Sequence, residues 1–156
     1  MTKRGLRLLA GLAVAFVALL GLAVPASAAS PAAAPAVVSS WKTVTTDGSW
    51  HCFSYQNHAY HPTVRFRACT VVNGHYAQMV LQINNNTTST ITIDGLVDNY
   101  NRGYTSCGDL RLGAGGSRGC FGQTFYLACG DVISGKVYAT VNGDVDSMLG
   151  YDRSAC

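Results

Sequence analysis

The sequence predicts an all-β protein, an antiparallel two-sheet sandwich that is stapled by disulfide bonds. Two Asn-Gly pairs are flanked by runs of alternating apolar and polar residues, no segment repeats its apolar residues at the helical period, and six cysteines follow an export signal. Asn-Gly between such runs is the strongest short-range sign of a β-hairpin. Short strands at this spacing favour a sandwich, and a Greek-key barrel is the alternative.

Residues 1–28 have the three parts of a secretory signal peptide. Three basic residues lie within residues 1–7, residues 8–24 are apolar and uncharged, and Ala26 and Ala28 give the small-x-small pattern of a cleavage site. An uncleaved anchor is the alternative, but the apolar run is shorter than the roughly 20 residues that span a bilayer. We therefore expect a secreted, extracellular protein without a stable membrane anchor.

Removal of this signal makes the chain electrically neutral. Three of the 11 basic residues lie in the signal, which leaves eight to balance the eight acidic residues, all of them Asp. Nucleic-acid binding requires a basic surface on the folded domain. We therefore expect no nucleic-acid partner.

The rest of the chain divides into two parts. Residues 29–40 are small and interrupted by proline, which is typical of a disordered or extended segment. The folded domain is predicted to span residues 41–156, beginning near Trp41, and its size suits a single domain.

Strand predictions follow from the alternating pattern and the turns. Residues 63–72 and 75–83 flank Asn73-Gly74, where we expect a type I′ turn, and residues 137–141 precede Asn142-Gly143. Further strands are predicted at 90–97, interrupted at Asp94-Gly95, and at 120–129, for a total of seven or eight. The glycine-rich residues 113–119 are predicted to form a mobile loop.

The even number of cysteines in an exported chain indicates three disulfide bonds. Zinc binding is the alternative, but the chain has no Cys-x-x-Cys pair. Many pairings are possible, and we prefer those that join near neighbours in the predicted strand order. The predicted disulfides are Cys52–Cys69, Cys107–Cys120 and Cys129–Cys156.

Residues with the chemistry for catalysis or metal binding do not assemble into a recognisable set. We expect His58 and His61 to be loop and surface histidines, because no third ligand follows them in register. Asn142, Asp144 and Asp146 are similar to the start of a calcium loop, but Ser147 stands where that loop requires glycine. We therefore expect no enzyme activity, no cofactor and no metal site.

Aromatic residues are the most informative candidates for binding. Trp50, Phe53 and Phe66 are expected in the core, whereas Tyr60, Tyr100 and Tyr104 lie among polar residues and glycines and are expected to be exposed. Exposed rings can stack on sugars or anchor a protein partner. These three tyrosines are the predicted contact residues.

The strand pattern from Ala77 to Val97, followed by Leu110, Leu112, Gly115 and Cys120, resembles the immunoglobulin-like sandwich of many small secreted actinobacterial proteins. The signal, the unstructured segment and the cystine-rich β body are also similar to the small adaptor subunit of secreted umbrella toxin particles. That resemblance implies that an N-terminal stretch, here roughly residues 29–46, adds as a strand to a partner. Val37, Val38 and Val44 are then the binding residues.

The predicted function is thus a secreted, non-catalytic binding or adaptor module that docks another secreted protein. The alternatives are a carbohydrate-binding module for cell-wall glycans, a small secreted enzyme inhibitor and, least favoured, a small hydrolase. An enzymatic function is disfavoured because the sequence offers no identifiable pair of nucleophile and general base.

Overall fold

Ten β-strands build the protein in a computed structural model that describes residues 36–100 and 102–153. These residues contain no helix, and so none long and apolar enough to cross a membrane. The strands are β1 (Ala36–Ser39), β2 (Trp50–Cys52), β3 (Gln56–Asn57), β4 (Val64–Asn73), β5 (Tyr76–Asn85), β6 (Ile91–Asn99), β7 (Gly103–Leu112), β8 (Ser117–Tyr126), β9 (Val132–Val141) and β10 (Asp144–Arg153).

The strands form two sheets that pack face to face. Sheet I has the order β1-β7-β6-β9-β10, and sheet II has the order β2-β4-β5-β8, with β3 also paired to β4. Every pairing is antiparallel except that of β1 with β7. The predicted all-β, disulfide-stapled two-sheet sandwich is confirmed. Its fourth long strand, β7, lies beside the third, β6, whereas a constant-type immunoglobulin domain places the fourth strand in the other sheet.

The core lies between the sheets because each long strand turns alternate side chains inward. β6 shows this directly, since Ile91, Ile93, Gly95 and Val97 are buried and the residues that alternate with them are more exposed. The largest fully buried apolar side chains come from both sheets and are Phe66, Met79, Leu81, Ile83, Ile93, Leu127 and Ile133.

Trp41 closes the gap between the sheets on the side of β7 and β8. Its indole packs against the hydrophobic core, and its Nε1 donates a hydrogen bond to the carbonyl O of Gly108 at 2.7 Å. The ring lies against Gly95, where an added Cβ would sit 2.8 Å from it. Only glycine therefore fits at this position of β6.

Residues 40–49, which we call the strap, then cross to sheet II. Lys42 forms a β-bridge with Gly119 on the edge strand β8, and its backbone N and O both bond to that residue at 2.9 Å. The chain then reaches β2 on the opposite edge of sheet II. The strap thus lies over the outward face of sheet II.

Two of the predicted disulfides are confirmed. Cys52–Cys69 joins directly opposed residues of β2 and β4, and Cys107–Cys120 joins β7 of sheet I to β8 of sheet II. The third predicted pair includes Cys156, which lies outside the described residues. Both sulfurs of the inter-sheet bond belong to fully buried residues, so this disulfide ties the sheets together inside the core.

The two Asn-Gly hairpins form different turns. Asn142 and Gly143 both have positive φ, at 50° and 95°, as the predicted type I′ turn requires. In the first hairpin Asn73 pairs with Tyr76, so the two-residue loop is Gly74-His75 and only Gly74 has positive φ. A glycine at the first loop position is typical of a type II′ turn, so the predicted type I′ turn is wrong here.

Three segments differ from the prediction. Residues 36–39, assigned to the disordered segment, form β1, because their backbone pairs with β7 from Tyr104 to Cys107. The 113–119 loop is shorter than expected, since Ser117 already begins β8. The predicted interruption at Asp94-Gly95 is a register shift, because Gly108 and Asp109 of β7 form a bulge while β6 continues.

Replacing Trp41 by alanine should lower the free energy of unfolding by about 3 kcal/mol, because the indole fills the gap between the sheets and its hydrogen bond is lost. Trp41→Phe should lose less. The measurement is urea unfolding followed by circular dichroism, with exposed Val38→Ala as the control that should change little. Equal midpoints for Trp41→Ala and the control would contradict this role.

Replacing Thr105 by valine should stabilise the domain by about 1 kcal/mol. The Thr105 Oγ1 atom is buried and has no hydrogen-bond partner among the described residues, so it bears a desolvation cost that an isosteric methyl group avoids. Thermal unfolding would show this as a higher Tm. A lower Tm would mean that the hydroxyl group has a partner in solution.

Candidate functional site

The outward faces of the two sheets differ in how well they are covered. On sheet II, Val80 is fully buried beneath the strap and its neighbours, and Trp50 packs edge to face on Phe121 with centroids 5.8 Å apart. On sheet I the outward apolar side chains are exposed or half-buried. Leu149 is 60% exposed and Val38 is 85% exposed. A row of exposed apolar side chains on one face is typical of an interaction surface.

The register of sheet I places these side chains in adjacent rows. One row runs across the sheet as Val38, Ser106, Leu96, Tyr138 and Ser147. The next row contains Ala36, Tyr104, Asp98, Lys136 and Leu149, and Val145 lies beyond on β10. We call this surface the open face, defined by Val38, Leu96, Tyr104, Tyr138, Val145 and Leu149.

A pair of oppositely charged residues lies within the open face. Lys136 lies opposite Asp98 in the register, and the two stand between Tyr104 and Leu149 in the same row. The Lys136 Nζ is 5.1 Å from the centroid of the Tyr138 ring, and Lys136 and Tyr138 are both half-buried. The open face therefore combines exposed apolar side chains toward its edges with half-buried polar and aromatic side chains on its central strands.

Asp94 lies on the outward side of sheet I, and its carboxyl group has a raised pKa. Partial burial, and second the charge of Asp109 on the bulge of β7, raise the pKa of Asp94. Its backbone partner in β9 is Thr140, in the same row as exposed Val145. The bulge thus brings two carboxylates together at this end of the open face.

A cavity of about 410 Å³ adjoins the open face where β1 ends. Its lining consists of the end of β1, the first residues of the strap and the bulge of β7, namely Val38, Ser39, Ser40, Trp41, Gly108, Asp109 and Leu110. The cavity lies within the size range of ligand sites, roughly 300–1,000 Å³.

Three of the predicted binding residues lie on or beside sheet I. Val38 and Tyr104 share its outward side, whereas Val37 pairs with Thr105, a buried inward-facing residue. Val37 is 38% exposed and so is partly covered. The structure therefore brings Val38 and Tyr104 to one surface and turns Val37 toward the other side of its strand.

The other predicted binding residues are elsewhere. The Val44 side chain lies over Gly119, where an added Cβ would approach its Cγ2 to 2.6 Å, so Val44 packs within the domain instead of facing a partner. Tyr100 and Tyr60 are both exposed, but Tyr100 bonds to Ser134 at the start of β9. Tyr60 belongs to a loop that is held near the end of β9. The predicted tyrosines therefore do not form one site.

The loop that carries Tyr60 is held by histidine and aspartate side chains. His58 is fully buried, not a surface residue as predicted, because its Nε2 donates to the carbonyl O of Ala139 at 3.2 Å. His61 Nε2 lies 3.0 Å from Asp144 Oδ2, and Asp146 Oδ2 accepts a bond from the backbone N of Ala59 at 2.9 Å. These contacts hold the loop on the β9–β10 hairpin. They give the carboxylates of Asp144 and Asp146 a structural role.

Four residues of the open face were not predicted as binding residues: Leu96, Tyr138, Val145 and Leu149. The alternation Val145, Ser147, Leu149 was a usable signal, because it places apolar residues on one side of a strand. Which side faces outward depends on the packing of the sheets.

Replacing Asp109 by asparagine should lower the pKa of Asp94 toward its ordinary value, although burial will keep it elevated. The raised pKa means that Asp94 favours folding at low pH and that this contribution is lost as pH rises through the folded-state pKa. Carbon-detected NMR titration of the Asp94 carboxyl group measures the change. An unaltered titration curve would show that the two carboxylates do not interact.

Comparison of this chain with protein-family models gives no match, and comparison with curated proteins gives none either. The geometry of the described residues is therefore the basis for the functional argument.

Proposed function

We propose that the chain is a secreted, non-catalytic binding module that docks another protein through the open face of sheet I. The observation that supports this proposal is the unequal covering of the two sheets. The strap covers the middle of the outward face of sheet II, while the outward face of sheet I keeps Val38, Tyr104, Val145 and Leu149 between 42% and 85% exposed. Exposed apolar side chains cost free energy in a soluble monomer and are retained where a partner covers them.

The edge strand β1 adds a second element to this surface. β1 has β7 on one side, and among the described strands it has no neighbour on the other. Its outer backbone groups are therefore open to a strand from the partner, which is binding by β-augmentation. The N-terminal segment then contributes as a docking edge that is already folded onto its own domain.

The proposed function includes the adaptor role that the sequence predicts. The resemblance to the adaptor subunits of secreted toxin particles would make the partner another secreted subunit. The disulfides and the exported location agree with each other, because disulfide bonds form in oxidising compartments outside the cytosol.

Replacing Leu149 by aspartate should weaken partner binding at least about tenfold, because it puts a charge into the apolar part of the interface. A photo-crosslinking amino acid at position 104 of the tagged, secreted protein should capture the partner from native culture supernatant. The same probe at position 60 should capture nothing, because Tyr60 is exposed but lies off the open face. Mass spectrometry identifies the captured chain.

Deletion of residues 36–39 separates the two parts of the surface. It removes β1 but leaves Trp41, the pairing of β7 with β6 and both described disulfides, so the domain should stay folded with a small loss of Tm while binding falls. Capture that is equal from positions 104 and 60, or that survives both Leu149→Asp and the deletion, would refute the docking surface. Capture of a second copy of this chain alone would refute the adaptor role.

A further inference from the structure

A second aromatic surface lies at one end of the outward face of sheet II, away from the open face. Tyr76 of β5 and Tyr126 of β8 are directly opposed in the register and are 57% and 59% exposed. The strap covers the middle of this sheet but leaves these two rings in solvent. Neither ring belongs to the open face.

The two rings form a fixed corner. Their centroids are 5.8 Å apart and their planes are at 78°, which is an edge-to-face arrangement. His75 stacks on the Tyr126 ring, with centroids 5.4 Å apart and an angle of 25°. The His75 Nδ1 donates to the carbonyl O of Leu127 at 3.3 Å, and the backbone N of Leu127 donates back to the His75 carbonyl at 2.7 Å. These contacts hold the rings before any ligand binds.

A shallow cavity of about 370 Å³ opens beside Tyr76. Its other lining residues are Val71, Asn73, Ala77, Gln78 and Thr124, and none of them is charged. The Gln78 Nε2 donates to the carbonyl O of Gly122 at 2.6 Å, which fixes the amide group. The cavity therefore presents amide and hydroxyl groups beside an aromatic wall.

We propose that this corner and cavity bind a neutral sugar unit of an oligosaccharide. The apolar face of a pyranose ring stacks on an exposed tyrosine, while its hydroxyl groups pair with side chains that both donate and accept hydrogen bonds. Asn73, Gln78 and Thr124 supply such groups. The lining of the cavity is uncharged, which favours a neutral ligand there. The Arg102 guanidinium, which donates to the Tyr126 carbonyl O at 3.5 Å, lies outside this lining.

Isothermal titration calorimetry of the mature protein with cellohexaose and with N-acetylchitohexaose tests this site. We expect saturable binding of at least one of them, with an affinity that is unchanged between low and high salt, because a neutral ligand makes no ion pairs. Tyr126→Ala and Tyr76→Ala should each weaken binding by about tenfold, whereas Tyr126→Phe should retain it because the ring remains.

Tyr60→Ala and Tyr104→Ala are matched controls, since each removes an exposed tyrosine elsewhere on the surface. Both control variants should bind the oligosaccharides with the affinity of the unaltered protein. Circular dichroism should show that all variants are folded. No heat of binding with either oligosaccharide would overturn the proposal, as would an equal loss in the controls. Leu149→Asp should weaken partner docking and leave sugar binding intact. The docking proposal and the sugar proposal can therefore fail independently of each other.

Discussion

The indole of Trp41 fixes the path of the chain on both sides of it. The ring is held between the sheets by packing against Gly95 and Leu81 and by the hydrogen bond from its Nε1 to Gly108. Residues before it are thereby placed beside β7, where they form β1, and residues after it are placed beside β8, where Lys42 bridges to Gly119. The adjacent disulfide between Cys107 and Cys120 joins the same two strands covalently. One anchored side chain thus determines which sheet receives the strap and which receives β1.

The unequal covering of the sheets follows from that anchor. Because the strap passes over sheet II, Val80 is fully buried although it faces outward from the sandwich. Sheet I receives a single short strand at its edge, and Val38, Tyr104, Val145 and Leu149 on its outward side stay exposed. The structural role of the strap and the proposed docking role of sheet I are therefore two results of one chain path.

The fold class and the two described disulfides could be predicted from the sequence because they depend on local signals. Alternation gives strands, Asn-Gly gives hairpins, and cysteines near each other in strand order can pair. β7 was harder to predict, since Thr105, Ser106 and Gly108 give no apolar alternation, and its strand exists because β6 and β1 supply backbone partners on both sides. The Asp94-Gly95 pair looked like a break, yet its glycine is required by the approach of Trp41, a contact 54 residues away along the chain. Such a contact has no local signal.

The candidate sites show the same division between local and tertiary information. Tyr60, Tyr100 and Tyr104 were predicted to be exposed because their neighbours are polar, and all three are exposed. They do not form one surface, because Tyr100 lies near the start of β9 and the loop of Tyr60 lies near its end. Leu96 and Tyr138 meet on one surface only because β6 and β9 pair in a register that aligns them. Tyr76 and Tyr126 likewise become a corner only through the pairing of β5 with β8. In a β-sandwich the sequence indicates which residues alternate, whereas the order and register of the strands determine which of them form a surface.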